Sequence, residues 1–205
     1  AQMSLDDTLE WFGHVRNTET EAHRLYNVAT EFAARLQPCR CVVLKGFDYA
    51  RYWPNPWHRE YGDLDCWCAG AFDESNAKAR EIGASVEDGG YKHTHITYND
   101  LAVENHCYFT DFNGTQQGRE TERLLSSLMT SQPPTSWRDT ALLLPSPMFT
   151  ALFMLRHAQL HFIEEGIALK HVLDWLFFLQ HERDNLDGSF LRRAMETMRM
   201  TTFAD

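Results

Sequence analysis

The sequence is short of several things, and each shortage narrows what the chain can do. No apolar run among its 205 residues approaches the ~20 needed to cross a bilayer, so no membrane role is expected. The opening Ala1-Gln2-Met3-Ser4 shows no basic stretch followed by an apolar core, so no export signal is expected and the expected location is cytoplasmic. Cysteine is sparse and odd in number: Cys39, Cys41, Cys66, Cys68 and Cys107. That count does not build a disulfide framework and points to a reducing compartment. The C-x-C spacings are not those of a usual zinc site, so the thiols are expected in the core. Positive charge is also scarce, with 19 Lys and Arg against 29 Asp and Glu, a net charge of −10. An acidic chain repels a phosphodiester backbone, which makes extended nucleic acid a poor partner. Small anionic substrates stay open, because bound divalent cations reverse a local field.

What the chain does have is apolar mass. Hydrophobic residues make up 43% and aromatics 13%, enough for one ample domain or a catalytic domain with a helical appendage. Thr18-x-x-Glu21 reads as a capping box. Ala22, Leu25, Tyr26, Ala29, Phe32, Ala33 and Leu36 follow it as one helical stripe. Pro38 closes that helix, and 39–44 reads as a short buried strand running to Lys45-Gly46. A helix is expected from Phe47 to Trp53, stopped by Pro54 and Pro56. A second strand over 64–68 lies between Gly62 and Gly70, and a helix over 73–82 ends at Gly83. The segments 91–98 and 101–109 flank Asn99-Asp100, a two-residue hairpin signal. A helix near 120–128 precedes Pro133-Pro134, which marks a loop. Ser146-Pro147 opens a helix that Gly166 ends, and 169–180 and 189–200 supply two more. No repeat is visible. The expected class is α+β: N-terminal helices over 1–38, a small mixed sheet module over 39–130 and a C-terminal helical subdomain over 140–205.

The chemistry concentrates in two places. Asp63 and Asp65 stand two apart on a strand, so both carboxylates share a face. Gly62 lets the backbone approach a ligand or turn sharply before them. Carboxylates so placed suit one or two Mg²⁺ ions completed by phosphate oxygens and water, or else simply face solvent. In the hairpin, a turn at Asn99-Asp100 sets His95 opposite Glu104 and His93 opposite His106. His93, His95, Thr97, Ala102, Glu104 and His106 then share a polar face, with Ile96, Tyr98, Leu101 and Val103 on the core side.

Leu44-Lys45-Gly46, Arg59-Glu60-Tyr61-Gly62-Asp63-Leu64-Asp65 and Val103-Glu104-Asn105-His106 resemble a nucleotidyltransferase-like family of the DNA polymerase β-type superfamily. His157, His161 and the stretch from Gly166 to Trp175 also resemble its helical segment. The likeness runs over about residues 20–180 with order preserved. It implies a nucleotidyltransferase sheet core in which Asp63, Asp65 and Glu104 are the catalytic, metal-binding acids for Mg²⁺ or Mn²⁺. Lys45, Gly46, Arg59, Gly62, His95 and His106 would bind substrate, a nucleoside triphosphate. A nucleoside monophosphate would pass to a hydroxyl of a small molecule or protein. The superfamily's glycine-serine pair after the first strand is here Gly46-Phe47, so the phosphate-binding hydroxyl is missing, and Lys45 and Arg59 are the cations that could replace it.

Other readings stand beside this one. The same fold can carry a catalytically silent nucleotide- or partner-binding module. His93, His95, Glu104 and His106 could instead hold zinc or iron in a β-barrel enzyme, although the strands are few for a barrel. His157 and His161 share a helix face and either pack there or contact substrate. Lys170 and Asp174 form a possible helix pair. The aromatics of 52–57 either stack on a base or pack a rigid loop.

Overall fold

A computed structural model describes residues 4–110, 114–164 and 166–204. Ala1, Gln2 and Met3, on which the export reading partly rests, lie outside the described residues.

The first helix, α1 (Leu5–Arg35), begins well before the expected start. Ser4 caps it, accepting from the Asp7 N–H, while the Asp7 carboxylate returns to the Ser4 backbone. Thr18 and Glu21 therefore lie inside the helix, and Glu21 pairs with Arg24 instead. Local spacing at Thr18 satisfied a cap pattern, but Ser4 with Asp6 and Asp7 offers the same chemistry one helix-half earlier. The predicted stripe is buried: Ala22, Leu25, Ala29, Phe32 and Ala33 face the core.

The strands are β1 (Val42–Val43), β2 (Leu64–Trp67), β3 (Ser85–Asp88), β4 (His93–Tyr98), β5 (Leu101–His106), β6 (Thr135–Ser136) and β7 (Leu143–Leu144). They form one mixed sheet in the order β3-β4-β5-β2-β1-β7-β6. The sheet is open, which removes the β-barrel reading of the histidines. The strand expected over 39–44 is shorter by ladder pairing, although Leu44 N–H to Asp65 O (2.9 Å) and Leu143 N–H to Cys41 O (2.9 Å) continue it at both ends. β3, β6 and β7 carry too little alternation to be seen in the sequence.

Helices α2 (Phe47–Ala50), α3 (Phe72–Glu81), α4 (Gln116–Ser131), α5 (Pro147–Glu164), α6 (Leu169–Glu182), α7 (Gly188–Thr197) and α8 (Thr201–Ala204), with a short 3-10 turn over Pro56–His58, complete the described elements. One side of the sheet packs Leu64, Cys66, Cys68, Ile96, Tyr98, Leu101 and Val103 against α1 and Ala79 of α3. The other side packs Val42, Leu44 and Trp67 with α4, α5, Phe178 of α6 and α7. The fold is therefore α+β with both faces covered, as in other layered domains. No helix among the described residues is long and apolar enough to cross a membrane.

The loop 52–57 packs rather than opens. Trp57 stacks on His23 with centroids 4.0 Å apart, and Trp53 meets Phe177 edge-on at 5.2 Å. Its Nε1–H donates to Asp174 Oδ1 at 2.8 Å.

Candidate active site

The hairpin fixes half of the site. Asn99 and Asp100 adopt φ of 47° and 60°, the left-handed pair a tight two-residue turn needs. The register follows as expected: His95 opposite Glu104 and His93 opposite His106. The other half comes from a long-range pairing. β2 runs parallel to β5 with Asp65 beside Glu104. Side chains two apart on a strand share a face, so Glu104 and His106 are directed to the side of Asp65, and Asp63, just ahead of β2, converges there through the Lys45 ammonium it shares with Asp65.

Asn105, between Glu104 and His106, points the other way and anchors the strand. Its amide donates to Ser75 Oγ (2.9 Å) and Asn76 Oδ1 (2.8 Å), and Thr94 Oγ1 donates to the same Asn76 oxygen. Glu122 of α4 holds the exit of β5, accepting from the N–H groups of Phe109 and Thr110 at 3.0–3.1 Å. Neither anchor was visible in the sequence, because both depend on helices packing back onto the sheet.

The acids are held together by two cations. The Lys45 ammonium lies 2.9 Å from Asp65 Oδ2 and 3.5 Å from Asp63 Oδ2. The His106 Nε2 lies 3.1 Å from Asp65 Oδ1 and 3.5 Å from Glu104 Oε2, and its Nδ1 faces the Tyr108 carbonyl at 3.1 Å. Both ring nitrogens face oxygen acceptors, which favours the doubly protonated ring. Burial opposes that charge, but the bonds to Asp65 and Glu104 outweigh it and raise the His106 pKa. Bonding from His106 lowers Glu104 to about 2. Asp63 moves the other way, raised by burial and by the neighbouring Asp65 charge. Ligand atoms of Asp65, Glu104 and His106 lie within 4.8 Å of one another.

Other expected residues fall at different distances from these acids. Gly46 needs its φ of 73°, which a side chain would strain. Gly62 needs no such freedom: a Cβ there would meet nothing within 4 Å, so the chain itself has no turn or clash that calls for glycine. Gly62 instead lines the cavity, leaving room at its wall. His95 is exposed, with Nδ1 3.9 Å from Glu104, while the less exposed His93 lies 3.8 Å from it. Arg59 is buried and forms a two-pronged pair with Asp174, Nε to Oδ1 at 2.8 Å and Nη2 to Oδ2 at 2.9 Å. Asp174 therefore does not pair with Lys170 along the helix.

The acids open onto a cleft between the sheet and α5. A cavity of about 640 Å³ is lined by Lys45, Arg59, Asp63, His157, His161 and Lys170, among others. A smaller one of about 70 Å³ reaches Asp65, Glu104, His106 and Lys92, and shares Lys45 and His157 with the first. A third, about 360 Å³, adjoins through Lys92, His157 and His161. Sequence reading missed Lys92, which precedes the hairpin and carries no motif. Among the described residues, neither the Lys92 nor the Lys170 ammonium has a carboxylate partner. So a chain of net charge −10 nonetheless gathers Lys45, Arg59, Lys92 and Lys170 about one cleft.

No curated protein matches the chain. The crystal structure of the Megavirus polyadenylate synthase is similar to it at 9% identity and a TM-score of 0.48, over 86% of this chain and 36% of that one. From residue 7 to residue 205 the chain matches the family described as uncharacterised nucleotidyltransferase, and it belongs to that family.

Proposed function

We propose that this protein moves a nucleoside monophosphate from a nucleoside triphosphate to a hydroxyl of a small molecule or protein, with Mg²⁺ or Mn²⁺ held by Asp63, Asp65 and Glu104. The observation that carries this reading is the β2–β5 register, which sets Asp65 beside Glu104 at the edge of a cleft lined by cations. The donor set fits the metals named, since hard divalent ions prefer carboxylate oxygens. Burial first, and then the neighbouring Asp65 charge, raise the Asp63 pKa, and a bound cation would offset both.

Bound ions supply positive charge to the acceptor hydroxyl and to the departing pyrophosphate. The chain's own residues do the positioning. Asp63 and Asp65 would hold the ions, and Glu104 would help hold the one that activates the acceptor hydroxyl. The acceptor oxygen would attack in line at the α-phosphorus: its O–H proton passes to solvent and its new O–P bond forms as the bond to pyrophosphate breaks. His106 keeps Asp65 and Glu104 fixed, so little reorganisation is needed. Lys45, paired with Asp63 and Asp65, would be released toward phosphate once those carboxylates held an ion. Lys170 and Arg59, which line the cavity with Gly46, and Lys92 beside the acids supply further positive charge in place of the missing serine hydroxyl. The five free cysteines support a reducing, cytoplasmic setting.

A second reading is favoured by the same Lys45 contact and by Gly46-Phe47: nucleotide binding without turnover. A thermal-shift panel of nucleoside triphosphates, with and without Mg²⁺ or Mn²⁺, tests both. A metal-dependent shift followed by pyrophosphate release supports transfer. A shift without release supports the silent module. No shift with any triphosphate overturns both.

A further inference from the structure

Away from the acids, three histidines meet on the wall of the same cavity. His157 and His161 stand one turn apart on α5, and His171 reaches them from the first turns of α6. Their ring centroids are 4.4 Å apart for His157 and His161, 5.0 Å for His161 and His171, and 6.0 Å for His157 and His171. One ligand nitrogen from each lies within 4.8 Å of the other two.

The separation of the first pair is informative. His157 Nε2 and His161 Nε2 are 3.3 Å apart. Two nitrogens at ~2.0–2.1 Å from a tetrahedral zinc ion are separated by about 3.3–3.4 Å, from the tetrahedral angle alone. The helix spacing has thus set this pair at the edge length of a zinc tetrahedron. A third imidazole from a second helix supplies another corner, and the cavity leaves the fourth side open. Imidazoles suit zinc, copper, iron or nickel, whereas Mg²⁺ prefers the oxygens of the acids. Burial drives His157 down to about 2, and it also lowers His171, so both rings are held in the neutral form that ligates.

We propose that His157, His161 and His171 form a three-histidine site for a zinc-class transition-metal ion, distinct from the carboxylate site and open at its fourth position to the cavity. The open position takes water or an anionic oxygen of a bound ligand. It also joins α5 to α6 next to the loop Gly166-Ile167-Ala168 that lines the cavity. At His171 a contact must yield. The Ala168 N–H points at His171 Nδ1 at 3.3 Å, a long bond whose loss lets Nδ1 carry the proton and Nε2 the ion.

The test uses the whole chain, stripped with a chelator and titrated with Co²⁺ alone, without Mg²⁺ or nucleotide. One equivalent should produce the strong visible d–d bands of a four-coordinate ion, and Zn²⁺ should abolish them. His161→Gln and His171→Gln, both at partly exposed positions, should lose the bands while keeping the far-ultraviolet helix signal. Asp63→Asn and Glu104→Gln should retain them. Absence of the bands in the wild-type protein overturns the site, as do bands that survive both histidine substitutions. Bands lost in Asp63→Asn or Glu104→Gln would instead assign the ion to the acids and likewise overturn it. Because no nucleotide enters the experiment, its outcome is independent of the transfer reaction proposed above.

Discussion

Arg59 and Asp174 are 115 positions apart and meet in a buried, two-pronged ion pair between the segment ahead of β2 and helix α6. Trp53 donates to the same carboxylate. The pair ties the loop that presents Asp63 to the helix that carries His171. Removing one partner of a buried pair leaves the other charge uncompensated, at a cost of about 3–5 kcal/mol. Asp174→Ala should therefore lower the unfolding free energy by about that amount in denaturant titration. Arg59→Lys should recover only part, because one ammonium does not reproduce the fork. A cost below about 1 kcal/mol for Asp174→Ala, the value of an exposed pair, would contradict this account.

The acids make a second test, in which stability and ligand response separate. Burial and Asp65 disfavour the charged form of Asp63, so Asp63→Asn should leave the metal-free protein as stable as the wild type or slightly more so. The same change should abolish the Mg²⁺-dependent nucleotide response, as should Glu104→Gln. A ligand at a hundred times its dissociation constant adds about 2.7 kcal/mol to the wild type. Variants that keep this gain would place the metal site elsewhere.

The proposed phosphate contacts fall on cations with different second duties. Lys92 and Lys170 have no carboxylate partner among the described residues, so Lys92→Ala and Lys170→Ala should weaken triphosphate binding without loss of stability. A charge-assisted hydrogen bond contributes about 1.5–3 kcal/mol, or roughly ten- to a hundred-fold in affinity. Arg59→Ala should lose both affinity and stability. Calorimetry with triphosphate and with free nucleoside separates these cases, since nucleoside affinity should hardly change. Equal triphosphate affinity across all three variants would rule out the grip.

Asp48 gives a pH dependence whose sign is fixed. It is fully buried, accepts from Thr150 Oγ1 at 2.7 Å and lies 2.8 Å from Arg51. Burial outweighs Arg51 and raises its pKa from 3.8 to about 6. The folded state thus holds this proton more tightly than the unfolded state. Its contribution is complete below the unfolded pKa and is lost as pH rises through about 6, by an amount of order 3 kcal/mol. Asp48→Asn removes the titration, so the stability of the variant relative to wild type should rise from about pH 4 to pH 7. A constant difference across that interval would mean Asp48 stays charged throughout.

Cys66 and Cys68 lie on the sheet face away from Asp65 and are 0% and 2% exposed. Native protein should react slowly at both with a thiol reagent, and unfolded protein quickly. Fast native labelling at both positions would place β2 the other way round.

Much of this protein is written locally in the sequence. Asn99-Asp100 between alternating segments was enough to set the hairpin and its register, because a tight turn leaves the facing strands no freedom to slip. Gly83, Gly166 and Ser146-Pro147 marked helix ends correctly for the same reason: the backbone conformation they favour belongs to the residue and its immediate neighbours. The start of α1 went astray because Thr18 and Ser4 offer the same local chemistry, and only the continuous run of backbone bonds chooses between them. Strands of two residues, β6 and β7, have no period to detect.

The sequence alone determined which residue types could hold metal and which of them share a strand face, since alternation is a property of the backbone. Only the tertiary structure decided what those residues meet. Asp65 reaches Glu104 through a parallel pairing with α3, β3 and β4 between them, Lys45 turns to the acids rather than to solvent, and Arg59 is taken by Asp174. His171 joins His157 and His161 only because α6 folds back along α5. Each of these depends on packing apolar faces that lie far apart in the chain, and that long-range burial leaves no mark at the residues it brings together.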